Sequence, residues 1–185
     1  MRLGNLEFLS ALGHHELMAP VVGAALARLH GAGEVGAALI DASFSDTAAF
    51  CEHYQIDPES AANCIILEAS RGEEVWLAAC VVLATTRADI NGLARQTLDA
   101  RRVSFAPMEK ATAESHMEFG AITPIGLPNS PAGEWPILVD QAVAESEYVV
   151  IGSGIRKSKL LVPGGFFAGL PNAHVFEGLG KRKSI

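Results

Sequence analysis

Cys64-Ile65-Ile66-Leu67-Glu68, then the turn Ser70-Arg71-Gly72-Glu73, then Glu74-Val75-Trp76-Leu77-Ala78-Ala79-Cys80-Val81-Val82-Leu83-Ala84 reads as a β-hairpin. Both arms are short apolar runs, and a glycine-containing turn of polar residues joins them. A tight turn forces antiparallel pairing, which a purely parallel sheet does not contain. Working outward, Val35–Ile40 is a short buried strand candidate. Ser45 and Asp46 can cap a helix carrying Ala48, Phe50, Cys51 and Tyr54. Asp57-Pro58 pairs a capping residue with a first-turn proline, so a short helix is expected before the hairpin. After it, Asp89 caps a helix through about Asp99, Arg102–Phe105 reads as a strand, Pro107–Glu114 as a helix and Ile137–Val139 as a strand. Tyr148–Ile151 and Leu160–Val162 can pair, Pro163-Gly164-Gly165 breaks the chain, and His174–Phe176 is a last short strand. Residues 1 to about 32 read as helical, with Pro20 in a first turn and a stripe of Val21, Val22, Ala25, Leu26 and Leu29 ending at Gly31. Strands and helices alternate but hairpins recur, so the expected class is α/β of the α+β type, a mixed sheet surrounded by helices with an N-terminal helical extension.

A chain of 185 residues can bury a full core and is expected to form one compact domain. Hydrophobic content of 49% with 19% charged residues is that of a globular protein. No apolar run reaches the roughly 18 residues that span a bilayer. The N-terminal region carries His14, His15 and Pro20 and does not read as a secretion signal. Cys51, Cys64 and Cys80 have no metal-like spacing and read as reduced packing thiols, in keeping with a cytoplasmic protein. The six histidines are scattered, so no metal and no cofactor are expected.

The net charge of −7 excludes a generic nucleic-acid binder. Its distribution is uneven: from Arg156 onward six basic residues face one acidic residue, Glu177, so this part is +5 and the first 155 residues are −12. Lys181-Arg182-Lys183 is open to two readings, a basic face for a phosphate backbone or a solvated tail.

Two loops draw attention as ligand walls. In Met117-Glu118-Phe119-Gly120-Ala121-Ile122-Thr123-Pro124-Ile125-Gly126-Leu127-Pro128 the prolines fix φ and the glycines allow close main-chain approach. Ile151-Gly152-Ser153-Gly154-Ile155-Arg156 follows an apolar run. Free N–H groups in such loops can form an anion-binding concavity. Thr123 and Ser153 have hydroxyls in these loops, but no Gly-x-Ser-x-Gly elbow accompanies them, so a serine-hydrolase triad is not expected.

With these landmarks in order, the segment from about Ile56 to Val162 resembles the YbaK-like aminoacyl-tRNA editing family, relatives of the insertion domain of bacterial prolyl-tRNA synthetases. The landmarks are Asp57-Pro58-Glu59-Ser60-Ala61-Ala62, the two hairpin arms, Arg87-Ala88-Asp89-Ile90-Asn91, the Gly120 to Pro124 loop, Ile137-Leu138-Val139-Asp140 and Gly152-Ser153-Gly154. The resemblance implies a curved mixed sheet with a pocket at one side, an editing unit over residues 33–185 and an extension over residues 1–32. It also implies hydrolysis of the ester between a wrong amino acid and the 3′ acceptor end of a tRNA, in trans, with neither metal nor covalent nucleophile. Gly120 and Gly152 would frame the reaction. Ala121, Ile122, Thr123, Pro124, Gly126, Ser153 and Gly154 would line the aminoacyl site, and Arg156 and Arg87 would meet the tRNA. One position departs from the pattern: the family's lysine falls at Asn63, which cannot serve as a cation but as a site residue could hydrogen-bond the substrate's amine or hydroxyl, or else cap the preceding helix. Lys159, seven residues after Gly152, is the expected substitute. Two other functions remain open, a non-catalytic tRNA- or ligand-binding module of the same fold and a hydrolase of a small aminoacyl ester.

Overall fold

A computed structural model describes residues 1–130 and 133–182. The predicted hairpin is its longest pair of strands. β1 (Leu9–Ser10) and β2 (Gly36–Leu39) precede it, and β3 (Ala62–Arg71) and β4 (Glu74–Leu83) form it in register from Ala62 opposite Leu83 to Arg71 opposite Glu74. Gly72 supplies the positive φ of the turn, +62°. β5 (Arg102–Phe105) pairs antiparallel with β3, and β6 (Ile137–Asp140) runs parallel to β4. β7 (Tyr148–Gly152) and β8 (Ser158–Pro163) form the second hairpin, and β9 (Ala173–Phe176) runs parallel to β6. The main sheet therefore has the order β9-β6-β4-β3-β5 and is mixed, while β7-β8-β2-β1 is wholly antiparallel.

The central strand β4 explains why its sequence is apolar throughout. Leu77, Ala79, Val81 and Leu83 face one core, and Ala78, Cys80 and Val82 face another. A strand covered on both faces loses the alternation of a half-exposed one. A third cluster packs Leu6 and Phe8 against Phe50, Cys51, Val150 and Leu161, which ties the N-terminus to α2 (Thr47–Tyr54) and to the second sheet. The N-cap of α2 is Asp46, whose carboxylate accepts from the N–H of Ala48 at 3.1 Å.

Several local expectations change. The N-terminal segment is helical only over α1 (Pro20–Leu26) and in short 3-10 turns. Before it, Arg2–Leu3 pairs with Leu6–Glu7 around Gly4, at φ +54°, and β1 adds to the second sheet. The period-two burial of Leu6 and Phe8 is the signal of this extended run, and the alanine- and leucine-rich stripe that follows masked it. Asp89 does cap a helical segment, but it is a wide turn over Ile90–Ala94 followed by one α-turn to Thr97. Pro163-Gly164-Gly165 opens a short helix, Gly164–Ala168, instead of a break. Lys181 and Arg182 lie on a strand, Gly180–Arg182, paired with Thr86–Ala88, and Lys181 forms a 2.7 Å ion pair with Asp89, so they are not a solvated tail. Lys183 lies outside the described residues.

The two sheets are joined by a parallel bridge between Ala61 and Val150. Beyond it β3 and β7 diverge, and the 117–123 loop lies against the end of β7. There the contact is main chain to main chain: Gly154 N–H donates to Ala121 C=O at 2.8 Å and Glu118 N–H to Gly154 C=O at 2.8 Å. A Cβ on Gly152 would overlap the Ala121 carbonyl oxygen and lie 2.9 Å from that of Ile122. Gly152→Ala should therefore push this loop outward and cost about 1–3 kcal/mol, read as a lower denaturant midpoint with an unchanged slope.

Candidate active site

The divergence of β3 and β7 leaves a cleft of about 520 Å³. Ala62, Asn63, Cys64 and Ile66 of β3 form one wall. Gly152, Lys159 and the loop residues Phe119, Gly120 and Ile122 form the other. Ser45, Asp46 and Thr47 close one end, and Ala106, Met108 and Ala111 line the other, on and beside α3 (Met108–Ser115). The cleft is therefore polar at the α2 end and apolar at the α3 end. Its residues Phe105, Phe119 and Met108 are exposed large apolar side chains.

The β7–β8 hairpin places Lys159 directly opposite Gly152. Lys159 is only 6% exposed. Its Nζ donates to the Ser45 carbonyl at 2.9 Å and sits 5.3 Å from the Phe50 ring centroid. Among the described residues no carboxylate lies within ion-pair distance of it. Burial lowers its pKa to about 8, the nearby Cys51 and Asp46 partly offset this, and Arg156 adds to the lowering. An ammonium held in a cleft without a carboxylate partner is costly, and such arrangements concentrate at functional sites.

Asn63 also faces the cleft, and its side-chain oxygen accepts from the Thr47 hydroxyl at 2.7 Å. This joins β3 to the first turn of α2. Cys64 lines the cleft too, but burial pushes its thiol far above the ordinary range, which makes it a poor nucleophile at neutral pH. Arg156 is exposed at the rim. Its N–H donates to the Glu118 carboxylate at 2.5 Å, and its guanidinium reaches the carbonyls of Phe119 and Ala42, both at 3.4 Å, and pairs with neither Glu145 nor Glu147. The N–H groups of Gly120 and Ile122 have no acceptor among the described residues.

The other sequence candidates are placed differently. Ala121 is buried and gives its carbonyl to Gly154, and Ser153 is buried in a hydroxyl cluster with Ser158 at 2.7 Å. Thr123 is wholly buried, and its hydroxyl has no partner among the described residues. Pro124 and Gly126 line a separate apolar cavity of about 370 Å³ against α1. Gly126 is held there by a φ of +86° and by contact with the Val21 main chain. Gly154, also at positive φ, packs on Ala19 and Met117. Arg87 lies on the exposed ribbon opposite Lys181 and does not line the cleft. No group of three His, Cys, Asp or Glu side chains among the described residues is arranged to hold a metal ion.

A model of the aminoacyl-tRNA editing domain matches residues 41–165. The chain belongs to the aminoacyl-tRNA editing domain family. It is accordingly a hydrolase of the aminoacyl-tRNA ester, and its mixed sheet is the fold of that family. A structure described as the "Crystal structure of a putative trans-editing enzyme for prolyl tRNA synthetase" superposes with a TM-score of 0.71 at 18% identity, over 89% of this chain and 97% of that one. The crystal structure of the hypothetical protein APE2540 gives 0.66 at 16% identity, over 78% and 90% of the two chains. At these identities the likeness is one of fold. The comparison with curated proteins gave no match. The matched range takes in Asp41–Gln55, ahead of the segment in which the sequence resemblance is legible. Ser45 and Thr47 of this editing domain, which reach the cleft, lie in that stretch. The only sequence signal they carry is helix capping.

The lowered pKa of Lys159 has a stability consequence. Its folded value, about 8, lies below the ordinary 10.5, so folding works against the charge at every pH below about 8. The drop corresponds to roughly 3 kcal/mol. Between pH 8 and 10.5 the unfolded chain holds more protons than the folded one, and the penalty fades as pH rises. Lys159→Met should therefore gain stability over the parent below pH 8, and lose that advantage from pH 8 to 10.5, in parallel denaturant titrations.

Proposed function

We propose that the cleft between β3, β7 and the 119–122 loop holds the aminoacyl end of a mischarged tRNA, at its 3′ acceptor terminus, and hydrolyses the ester in trans. The observation that carries this reading is the buried Lys159 ammonium at the polar end of the cleft, opposite Gly152 and unpaired with any carboxylate among the described residues. Lys159 supplies the cation that Asn63 cannot. Water adds to the carbonyl carbon, the bond to the ribose oxygen breaks, that oxygen takes one of the water's protons, and the other passes to solvent. The amino acid leaves as its carboxylate. Charge develops on the carbonyl oxygen, where Lys159 and the N–H groups of Gly120 and Ile122 act as donors. Asn63 is fixed by Thr47 and orients the substrate's polar groups. Main-chain groups around Ala121, Thr123, Ser153 and Gly154 keep the wall in shape, and Pro124 and Gly126 brace it from behind.

The apolar end, at Ile66, Ala106 and Ala111, takes the amino-acid side chain. Discrimination there is by size, and one methylene is worth about 1–3 kcal/mol. Phe105 and Phe119 offer faces on which unpaired terminal bases stack. Arg156 meets a phosphate. Arg87, beside Lys181 and Arg182 on the outer ribbon, is a more distant phosphate contact. The editing unit spans residues 33–185, and residues 1–32 are an extension whose start, at Leu6 and Phe8, packs on α2 while α1 packs in the main core and against the Gly126 loop. Such a protein would work in the cytoplasm, where charged tRNA is used. Among the described residues no helix is long and apolar enough to cross a membrane.

Single-turnover deacylation of Ala-, Ser-, Thr-, Cys- and Pro-tRNA tests the proposal. One subset should be hydrolysed, and its rate, corrected for spontaneous hydrolysis, should fall as pH rises through about 8, where Lys159 loses its proton. Affinity should drop steeply with salt. Binding without hydrolysis across the panel would favour a non-catalytic module. Turnover of small aminoacyl esters without salt dependence would favour a small-ester hydrolase.

A further inference from the structure

Two opposite charges share the polar end of the cleft without neutralising each other. Asp46 and Lys159 both line it, yet they lie outside ion-pair distance of one another. Asp46 is exposed, and among the described residues lining the cleft it is the one carboxylate. Its Oδ1 is committed to α2, accepting from the N–H of Ala48 at 3.1 Å and of Ala49 at 3.5 Å. Its Oδ2 has no partner among the described residues. Capping accounts for one oxygen but does not require a charge, since Asn or Ser caps as well.

We infer that Asp46 Oδ2 binds the α-ammonium of the aminoacyl ester while Lys159 faces its carbonyl oxygen. The inference rests on the deacylation proposed above and names a group the substrate must carry. In an aminoacyl ester the ammonium and the carbonyl sit on adjacent carbons. The positive nitrogen and the oxygen that gains negative charge are therefore neighbours that cannot merge. An anion and a cation kept apart at one end of a cleft match that pair, whereas a closed ion pair would match neither. Lys159 and Arg156 repel an ammonium, so Asp46 is the charged side chain of the lining that attracts it. Asn63 is neutral, and its oxygen already accepts from Thr47. Glu52 lies in an adjoining cavity of about 450 Å³ that shares Asp46, Thr47 and Asn63 with the cleft but does not include Lys159. Esters with a blocked amine, such as peptidyl-tRNA, would lose the Asp46 contact and be spared.

The test compares the preferred aminoacyl-tRNA with its α-hydroxyacyl analogue, in which a hydroxyl of similar size replaces the ammonium. Asp46→Asn keeps the cap and removes the charge. Its single-turnover second-order rate constant on the aminoacyl ester should fall about tenfold, between the effects of an exposed ion pair and of a hydrogen bond to a charged group. On the hydroxy ester the rate constant should stay within about twofold of the parent, so the ratio between the two esters isolates the ammonium contact from any change at Lys159. Asp46→Ser, which also caps, should shift the ratio in the same direction and carries the test if the asparagine variant does not fold. Glu52→Gln removes an equal charge from the adjoining cavity and should leave the ratio unchanged. Equal losses on both esters, no loss on either in a folded variant, or a ratio shifted as much by Glu52→Gln would overturn the inference and leave the deacylase reading standing. A folded parent inactive on every aminoacyl-tRNA would overturn both.

Discussion

The contact of the Gly152 main chain with Ala121 and Ile122 is the constraint on which the site depends. It lets a loop 30 residues earlier lie directly on the end of β7, with no side chain between them. The loop's outer residues, Phe119, Gly120 and Ile122, are thereby turned toward β3, and the space between becomes the cleft. Lys159 is opposite Gly152 in the hairpin, so the same contact sets where this buried ammonium is found. A larger residue at position 152 would disturb the wall and the cation together.

The polar end shows how this editing domain retains a charge without a matched counter-charge. Lys159 has a carbonyl acceptor, an aromatic face and the more distant field of Asp46, but no carboxylate partner among the described residues. A paired lysine would be more stable and less available to a substrate oxygen. In the reaction proposed above, this cost in folding stability is offset by a donor held ready at the cleft, of the kind that electrostatic stabilisation of a transition state needs. The Asn63–Thr47 hydrogen bond serves the same end of the cleft, fixing the start of β3 to the start of α2.

Much of this was legible in the chain. The turn at Gly72 and the apolar arms around it defined the mixed sheet, and the pairing of Tyr148–Ile151 with Leu160–Val162 put Lys159 near Gly152. What stayed hidden has two causes. Facing is not encoded in a loop: Gly120 and Ile122 meet the cleft while Pro124 and Gly126 meet another cavity, and glycine and proline spacing carries no period from which to tell them apart. Long-range partners are also silent. Ser45 reaches Lys159 across 114 residues, and its own neighbourhood reads only as the start of a helix. The short strands at the N-terminus were lost for a local reason, since two-residue pairings leave almost no pattern beside the apolar stripe of α1.

The most direct measurement is the single-turnover deacylation rate of Lys159→Met beside that of the parent, on the aminoacyl-tRNA the parent hydrolyses fastest, with both proteins shown to be folded. The cation at the polar end of the cleft predicts a loss of at least about 100-fold, the scale of an oxyanion donor. An unchanged rate in the folded variant would remove Lys159 from the chemistry and contradict the account.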